Sequence, residues 1–120
     1  MSEELAREIE AGGGTDEAVA LALGWYPLNA GGEWCGPGEK GGYSLLGPPA
    51  FLTDLNAGLA ECERRGWVWE KTHHPDGNFY IRVWGGDIAA TPWVLCRGRT
   101  RADDARALAA ALVRAAGASE

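Results

Sequence analysis

Apolar and polar residues recur along this chain with two different periods, and each period predicts a different kind of element. Four segments have the spacing and composition of helices: residues 3–10, 15–24, 53–65 and 100–116. Three segments are rich in aromatic and β-branched residues and are typical of strands: residues 67–72, 78–84 and 88–97. These strands follow one another along the chain and are separated only by turns, which favours antiparallel pairing.

Capping residues mark the expected helix ends. Thr15, Thr53 and Thr100 stand at the starts of three helices, where a hydroxyl can accept a hydrogen bond from a free backbone N–H. Gly24 and Gly66 stand where two of these helices end. The two longer helices each have an apolar face, formed by Leu52, Leu55, Leu59 and Cys62 in one and by Ala105, Leu108, Ala109, Leu112 and Val113 in the other. We expect Leu55, Leu59, Leu108 and Leu112 to share one core.

The turns between the strands predict the topology of the sheet. Pro75-Asp76-Gly77 combines a preset φ, a turn-forming side chain and a residue that tolerates positive φ, so it predicts a hairpin. Residues 85–87 form the next turn, and Pro92 indicates that the third strand lies at an edge or contains a bulge. The sequence therefore predicts an α+β fold, a three-stranded antiparallel meander with helices packed on it as an α-β-α sandwich, in the order α-loop-α-β-β-β-α.

The length of 120 residues predicts a single domain that spans residues 1–120. Within it, the run of glycines at 12–14 sets off residues 1–14 as a flexible or helical N-terminal arm. Residues 25–50 are rich in glycine and proline and predict a long loop, with a short extended piece at 43–46.

Two sequence motifs in this loop resemble known sites but lack the structural context of those sites. Trp34-Cys35-Gly36-Pro37 matches the start of a thioredoxin-type redox site, which requires a helix to begin at the first cysteine and normally a second thiol. Residues 36–41 match the glycine pattern of a dinucleotide-binding turn, which requires a preceding strand and a following helix. We predict that both matches are features of a loop that has no redox or dinucleotide chemistry.

Net charge and cysteine content exclude further classes of function. The formal net charge of −6 argues against general nucleic-acid binding. The chain has no apolar run long enough for a membrane span and no secretory signal, so we expect a cytoplasmic protein. Its three cysteines lie far apart, which predicts reduced thiols, no metal site and no cofactor.

The candidate binding residues are tryptophans and arginines. Six tryptophans are more than a small sheet can bury, so we expect at least two of them to be partly exposed. The basic residues lie mainly in the second half of the chain, where Arg97, Arg99 and Arg101 precede or begin the last helix. The full set of candidates is Trp34, Trp67, Trp69, Trp84, Trp93, Arg82, Arg97, Arg99 and Arg101.

Other residues give little support to an enzyme. The neighbouring His73 and His74 are expected to be solvated at the hairpin tip, where adjacent side chains point in different directions. The sequence shows no catalytic triad, carboxylate pair or metal cluster at a recognisable spacing. We therefore expect a non-enzymatic binding protein, and a small hydrolase is only a remote alternative.

Three segments resemble the phage ABA sandwich domain, a family of small phage and prophage proteins. They are "ALALGW" at 20–25, "PPAFLTDLNAGL" at 48–59 and "RTRADDARALAAALVRAAG" at 99–117. The resemblance implies a sheet between helices and an accessory role in a phage or prophage, but it implies no catalytic residues. Together with the tryptophans and arginines, it suggests a protein that counters host defence by sequestering a nucleotide signal, a small anionic ligand. The alternative is an adaptor that docks on a host or virion protein.

Overall fold

A computed structural model describes residues 2–37, 43–44, 47–86 and 88–118 of the chain. Within these ranges there are four helices, α1 (Ser2–Glu10), α2 (Asp16–Ala22), α3 (Leu55–Arg65) and α4 (Arg101–Ala118). The strands are β1 (Tyr26–Pro27), β2 (Trp34–Cys35), β3 (Tyr43–Ser44), β4 (Val68–His73), β5 (Phe79–Trp84) and β6 (Val94–Leu95). The α+β class and the order of the main elements agree with the sequence prediction.

Helix α4 forms the centre of the molecule and contacts α1, α2, α3, β5 and β6. It is buried on nearly every side from Asp104 to Ala116, rather than along the single face that its apolar spacing predicts. Its many alanines explain the difference, because small side chains let neighbouring helices approach from several directions at once. Leu108 and Leu112 are fully buried in it, Leu55 of α3 is buried, and Leu59 is half-buried against the same core.

Local hydrogen bonds fix the helix ends. The Thr15 hydroxyl caps α2 by accepting from the Ala18 N–H at 3.0 Å, and Gly66 ends α3 with a φ of +70°, both as predicted. The expected cap of α3 at Thr53 is wrong by one residue, since the Asp54 carboxylate accepts from the Asn56 N–H at 3.0 Å. Asparagine, aspartate and serine are better N-caps than threonine, which favours the aspartate here.

Strands β4, β5 and β6 form the predicted antiparallel meander, in that order. The hairpin pairs Val68 with Trp84 at one end and His73 with Phe79 at the other. Side chains alternate across a strand, so Ile81 and Val83 of β5 face α4 and are fully buried, while their neighbours face the opposite side.

The third strand is shorter than predicted. The sequence predicts a strand over 88–97 that lies at an edge or contains a bulge at Pro92. The third strand does lie at the edge of the sheet, but its pairing is limited to a single bridge between Gly85 and Ile88 and the two-residue strand β6. The Thr91 hydroxyl accepts from the Val83 N–H at 3.0 Å, while the Thr91 N–H donates to the Val83 carbonyl at 2.9 Å. A side chain therefore takes the place of one ladder hydrogen bond just before Pro92, which has no N–H of its own. Asp87 of the predicted second turn lies outside the described residues.

The described part of the glycine-rich segment 25–50 contains a second small sheet. Strand β2 pairs antiparallel with β1 on one side and with β3 on the other. The sequence predicted a loop with an extended piece at 43–46, of which 43–44 form β3 and 45–46 lie outside the described residues. Cys35 of the thioredoxin-like motif lies in β2, within a strand and not at the start of a helix. Residues 38–42 also lie outside the described part, and they include positions 38–41 of the glycine-pattern match.

Candidate functional site

The β4–β6 sheet has one face against the helical core and one face that no described helix covers. We call the second the outer face. Its side chains are all half-buried or exposed, with Val68 48% and Leu95 37% accessible. Side chains alternate between the two faces along the three strands and along the residues just before β6. By this alternation, the outer face consists of Val68, Glu70, Thr72, Tyr80, Arg82, Trp84, Trp93 and Leu95.

Arg82 is held at the middle of the outer face by three contacts. Its Nε donates to Glu70 Oε1 of the paired strand at 2.9 Å. Its guanidinium lies 4.3 Å from the ring centre of Trp93 and 5.4 Å from that of Trp84. Two of the candidate tryptophans and one candidate arginine are therefore in direct contact, with the arginine between the two indoles.

His74 extends this row of rings towards the hairpin. Its imidazole stacks on Tyr80 with centroids 4.2 Å apart, and it meets the Trp93 ring edge-on at 4.8 Å. The Tyr80 hydroxyl donates to the Asp76 carboxylate, which lowers the pKa of Asp76 and raises the pKa of Tyr80. The sequence predicted a solvated His74 and missed this role. The register of the hairpin could have located His74, because the residue that follows β4 lies beside the sheet face that Tyr80 occupies.

Arg97 and Arg99 lie beyond the end of β6 and are exposed. No carboxylate among the described residues forms an ion pair with either of them. Both line an open cavity of about 70 Å³, together with Cys96, Gly98 and the Gly77–Phe79 turn. The guanidinium of Arg99 lies 5.6 Å from the ring centre of Phe79. These two arginines are positive charges available at the end of the sheet.

The start of α4 is already occupied by a carboxylate of the chain. Asp103 Oδ2 accepts from the Thr100 N–H at 3.1 Å and from the Thr100 hydroxyl at 2.7 Å, and these bonds lower the pKa of Asp103. In return, the Thr100 hydroxyl accepts from the Asp103 N–H at 3.2 Å, so Thr100 caps α4 as predicted. Arg101 donates to Asn56 Oδ1 at 3.2 Å, on the side of α3. An anion in this region would therefore be held by Arg97 and Arg99 and not by the helix N-terminus.

The remaining candidate tryptophans are not brought to the outer face. Trp34 and Trp67 are buried in the hydrophobic core. Trp69 lies on the helix side of β4, at the edge of the sheet, and is 37% accessible. Trp69, Trp84 and Trp93 are thus the partly exposed tryptophans among the candidates, which agrees with the expectation of at least two.

A buried ionic cluster links α3 to the segment after α2, and the sequence analysis did not find it. Glu61 is fully buried and accepts from Trp25 Nε1 at 3.1 Å, from Arg65 Nε at 2.8 Å and from Arg64. Arg65 also donates to the Leu23 carbonyl. The cluster holds Trp25 against α3, so its role is structural. Its signal in the sequence was an acidic residue directly before Cys62, on the edge of the apolar face of α3.

The other chemical groups of the described chain do not form a recognisable site. Burial raises the pKa of the Cys62 thiol to about 11 and that of Cys96 to about 12, so both are poor nucleophiles. No group of three or more metal-binding side chains lies together in the described ranges. None of the helices described has the length and apolar character that crossing a membrane requires.

Comparison with known proteins gives no family model that matches the chain, no similar curated sequence and no similar solved structure. The phage ABA sandwich resemblance therefore stays a prediction from the sequence.

Proposed function

We propose that this is a non-enzymatic binding protein that docks on an acidic surface of a partner protein through the outer face. The observation that carries the proposal is the row of rings around Arg82, which lies on a sheet face that no described helix covers. Tryptophan, tyrosine and arginine are the residue types most often responsible for the binding energy of protein interfaces.

The shape of the outer face favours a protein over a small molecule. Small-molecule sites are usually concave and enclose most of the ligand. The three described cavities have volumes of about 70, 220 and 380 Å³. Leu95 lines the second of them at the margin of the outer face, but none is lined by Tyr80, Trp84 or Trp93. A broad face with exposed Val68 and Leu95 at its two margins suits a second protein surface.

The charge around the face indicates the chemistry of the partner. On the face itself, the charges of Arg82 and Glu70 compensate each other. Arg97 and Arg99 add positive charge at the end of β6 and have no described carboxylate partner. A partner with acidic residues beside an apolar patch would pair with these arginines while burying the rings.

Site-specific photo-cross-linking in the producing cell tests the proposal. A benzophenone side chain is introduced at Val68 or Leu95 on the outer face, or at Leu21, which is 53% accessible on α2 and serves as the control. We expect one discrete protein adduct from both outer-face positions, none from Leu21, and loss of the adduct when Trp93→Ala is added. Equal adducts from all three positions, or none from the outer face, would contradict the proposal.

Nucleotide sequestration is the second candidate, and the small cavity beside Arg97 and Arg99 favours it. Its volume of about 70 Å³ suits a phosphate group but not a whole nucleotide, so base and sugar would lie outside it. A thermal-shift assay with mono-, di- and cyclic nucleotides tests this function. Stabilisation that disappears in an Arg97→Ala/Arg99→Ala variant would favour it over protein docking, and the absence of any shift would exclude those nucleotides.

A further inference from the structure

The outer edge of β4 presents a row of backbone hydrogen-bonding groups. In an antiparallel pair, alternate residues of a strand direct their N–H and C=O groups to the neighbouring strand, and the residues between them direct theirs away. The His74 N–H donates to the Asn78 carbonyl at 2.9 Å, and the register pairs Thr72, Glu70 and Val68 with β5 in the same phase. The backbone groups of Trp69, Lys71 and His73 therefore point to the other side, away from β5.

The hydrogen bonds on the far side of β5 confirm this phase. The Cys96 N–H donates to the Phe79 carbonyl, and the Thr91 N–H donates to the Val83 carbonyl, both at 2.9 Å. The carbonyls of Phe79 and Val83 of β5 thus point to β6, and by alternation the backbone groups of Tyr80, Arg82 and Trp84 point to β4. Hydrogen bonds on both sides of the central strand β5 therefore agree on which backbone groups of β4 point outward.

This edge is accessible in the described structure. β4 is the first strand in the sheet order β4–β5–β6, and no described strand pairs with it on its outer side. Trp69, Lys71 and His73 are all exposed. A six-residue strand with three free backbone positions is long enough to template another strand.

We propose that the β4 edge binds an extended segment of another protein, which adds to the sheet as an antiparallel fourth strand. Backbone hydrogen bonds to Trp69, Lys71 and His73 would provide the register, and side chains would provide specificity. The side chains of β4 define the chemistry of the segment, with apolar residues opposite Val68 and Trp69. Glu70 and Lys71 are already ion-paired within the chain, with Arg82 and with Asp104, each at 2.9 Å. A basic residue opposite Glu70 and an acidic residue opposite Lys71 would extend these two ion pairs across the strands.

The same charges disfavour a second copy of this chain as the occupant. Two copies of β4 can pair edge to edge only when residues whose backbone groups point outward lie opposite each other. Two registers with two-fold symmetry meet this condition, and each pairs five of the six strand residues with the other copy. One of them places Lys71 opposite its own copy, and the other places Glu70 opposite its own copy. Like charges directly opposite each other destabilise strand pairing. A segment with the complementary order of charges has neither conflict.

The β4 edge is distinct from the outer face, and strand addition is a different mode of recognition from docking on that face. The experiment uses NMR on the isotopically labelled full chain with a synthetic peptide, Thr-Thr-Glu-Lys-Val-Ile, blocked at both ends. Run antiparallel, its glutamate lies opposite Lys71 and its lysine opposite Glu70. In the free chain, we expect the amides of Trp69, Lys71 and His73 to exchange with solvent much faster than those of Glu70 and Thr72.

On addition of the peptide, we expect slower exchange and shifted resonances for Trp69, Lys71 and His73, with the indole resonances of Trp84 and Trp93 unchanged. Two control peptides separate the contributions. Methylation of the glutamate nitrogen, which faces β4, should abolish binding, whereas methylation of the lysine nitrogen, which faces away, should preserve it. Exchanging the glutamate and the lysine should weaken binding about tenfold, because two attractive cross-strand pairs become repulsive.

Three results would overturn the inference. The first is an edge that is already protected in the free chain at every concentration, which would mean that it is covered. The second is protection that increases with protein concentration, which would identify a second copy as the occupant. The third is the absence of peptide binding, or shifts confined to the outer face, which would leave the edge without a function in strand addition.

Discussion

At the scale of single residues, Glu61 is the clearest case of a charge that depends on its partners. It is fully buried, and three donors from Trp25, Arg64 and Arg65 satisfy its carboxylate. Burial lowers the pKa of both arginines, so they too are held charged in a costly environment. Such a group is stable only as a complete set, because removing one member leaves the others desolvated and unpaired.

We expect Glu61→Ala to lower the free energy of unfolding by about 3 kcal/mol, since it leaves two partly buried arginines without their carboxylate. Glu63→Ala is the matched control, because Glu63 lies on the same helix but is exposed and should change stability by less than about 0.5 kcal/mol. Urea denaturation of the two variants and the parent chain measures both values. Equal effects at the two positions would show that the cluster contributes nothing.

The buried thiols make the stability of the protein dependent on alkaline pH. The pKa of Cys62 rises from an ordinary 9.0 to about 11, and that of Cys96 rises to about 12, in both cases chiefly through burial. Between pH 9 and these values the unfolded thiols lose protons that the native thiols keep. The unfolded state then binds fewer protons, so the free energy of unfolding falls as pH rises.

We therefore expect the denaturation midpoint to fall between about pH 9 and pH 11 and to fall less steeply in a Cys62→Ala/Cys96→Ala variant. The comparison of slopes removes the contribution of every other group, because both chains contain it. Parallel slopes in the two chains would mean that the thiols titrate equally in the folded and unfolded states.

Residues whose role depends on distant partners were not predictable from the sequence. Glu61 meets Trp25 across 36 positions, and no local pattern connects them. The sequence predicts a solvated His74 because the tip of a hairpin is normally exposed. Its stacking on Tyr80 requires the strand register and the position of Trp93, which only the folded sheet provides.

At the scale of elements, the close approach of α3 to α4 depends on a single glycine. A Cβ at Gly58 would lie 2.6 Å from Leu108 Cδ2 and 3.2 Å from Leu108 Cγ. Leu108 is fully buried, so its side chain has little room to move aside. Glycine is unfavourable within a helix by about 1 kcal/mol relative to alanine, and its presence here is explained by packing.

We expect Gly58→Ala to lower the free energy of unfolding by about 1–2 kcal/mol, because overpacking exceeds the gain in helix propensity. The same change in a Leu108→Val background should cost less, since valine lacks the Cδ atoms that cause the clash. A thermodynamic cycle over the four chains isolates this interaction. A stabilising effect of Gly58→Ala in the parent chain would show that the two helices separate freely.

Elements with strong local signals were predicted correctly, and those set by tertiary contacts were not. The hairpin and the caps at Thr15, Gly66 and Thr100 depend on a few adjacent residues. The early end of pairing in the third strand depends on where the Thr91 hydroxyl lies against Val83, which its own sequence does not reveal. The sequence predicts a single buried face for α4 rather than burial on nearly every side, because alanine gives a weak hydrophobic pattern.

At the scale of the whole molecule, the fold separates two kinds of tryptophan that the sequence could not distinguish. Trp34 and Trp67 complete the core, whereas Trp84 and Trp93 lie with Arg82 on the outer face. The sequence predicted that indole and arginine combine near the start of the last helix. The contacts described here instead centre on Arg82 in the middle of the sheet, and Arg97 and Arg99 lie at its margin.

Two arginines without a described ion pair lie at the margin of the outer face. Arg97 and Arg99 are exposed and have no described ion pair, so the double change Arg97→Ala/Arg99→Ala should leave the thermal midpoint unchanged. If they contact acidic residues of a partner, the yield of the outer-face cross-link should fall about tenfold or more for each charge-assisted bond lost. Added salt should reduce the parent yield and have less effect on the variant, because exposed charges are screened. Arg7→Ala is the control, since Arg7 is an exposed arginine of α1 that lies outside the outer face. A double variant that cross-links as well as the parent at low salt would remove the acidic surface from the proposal and leave the rings as the only contact.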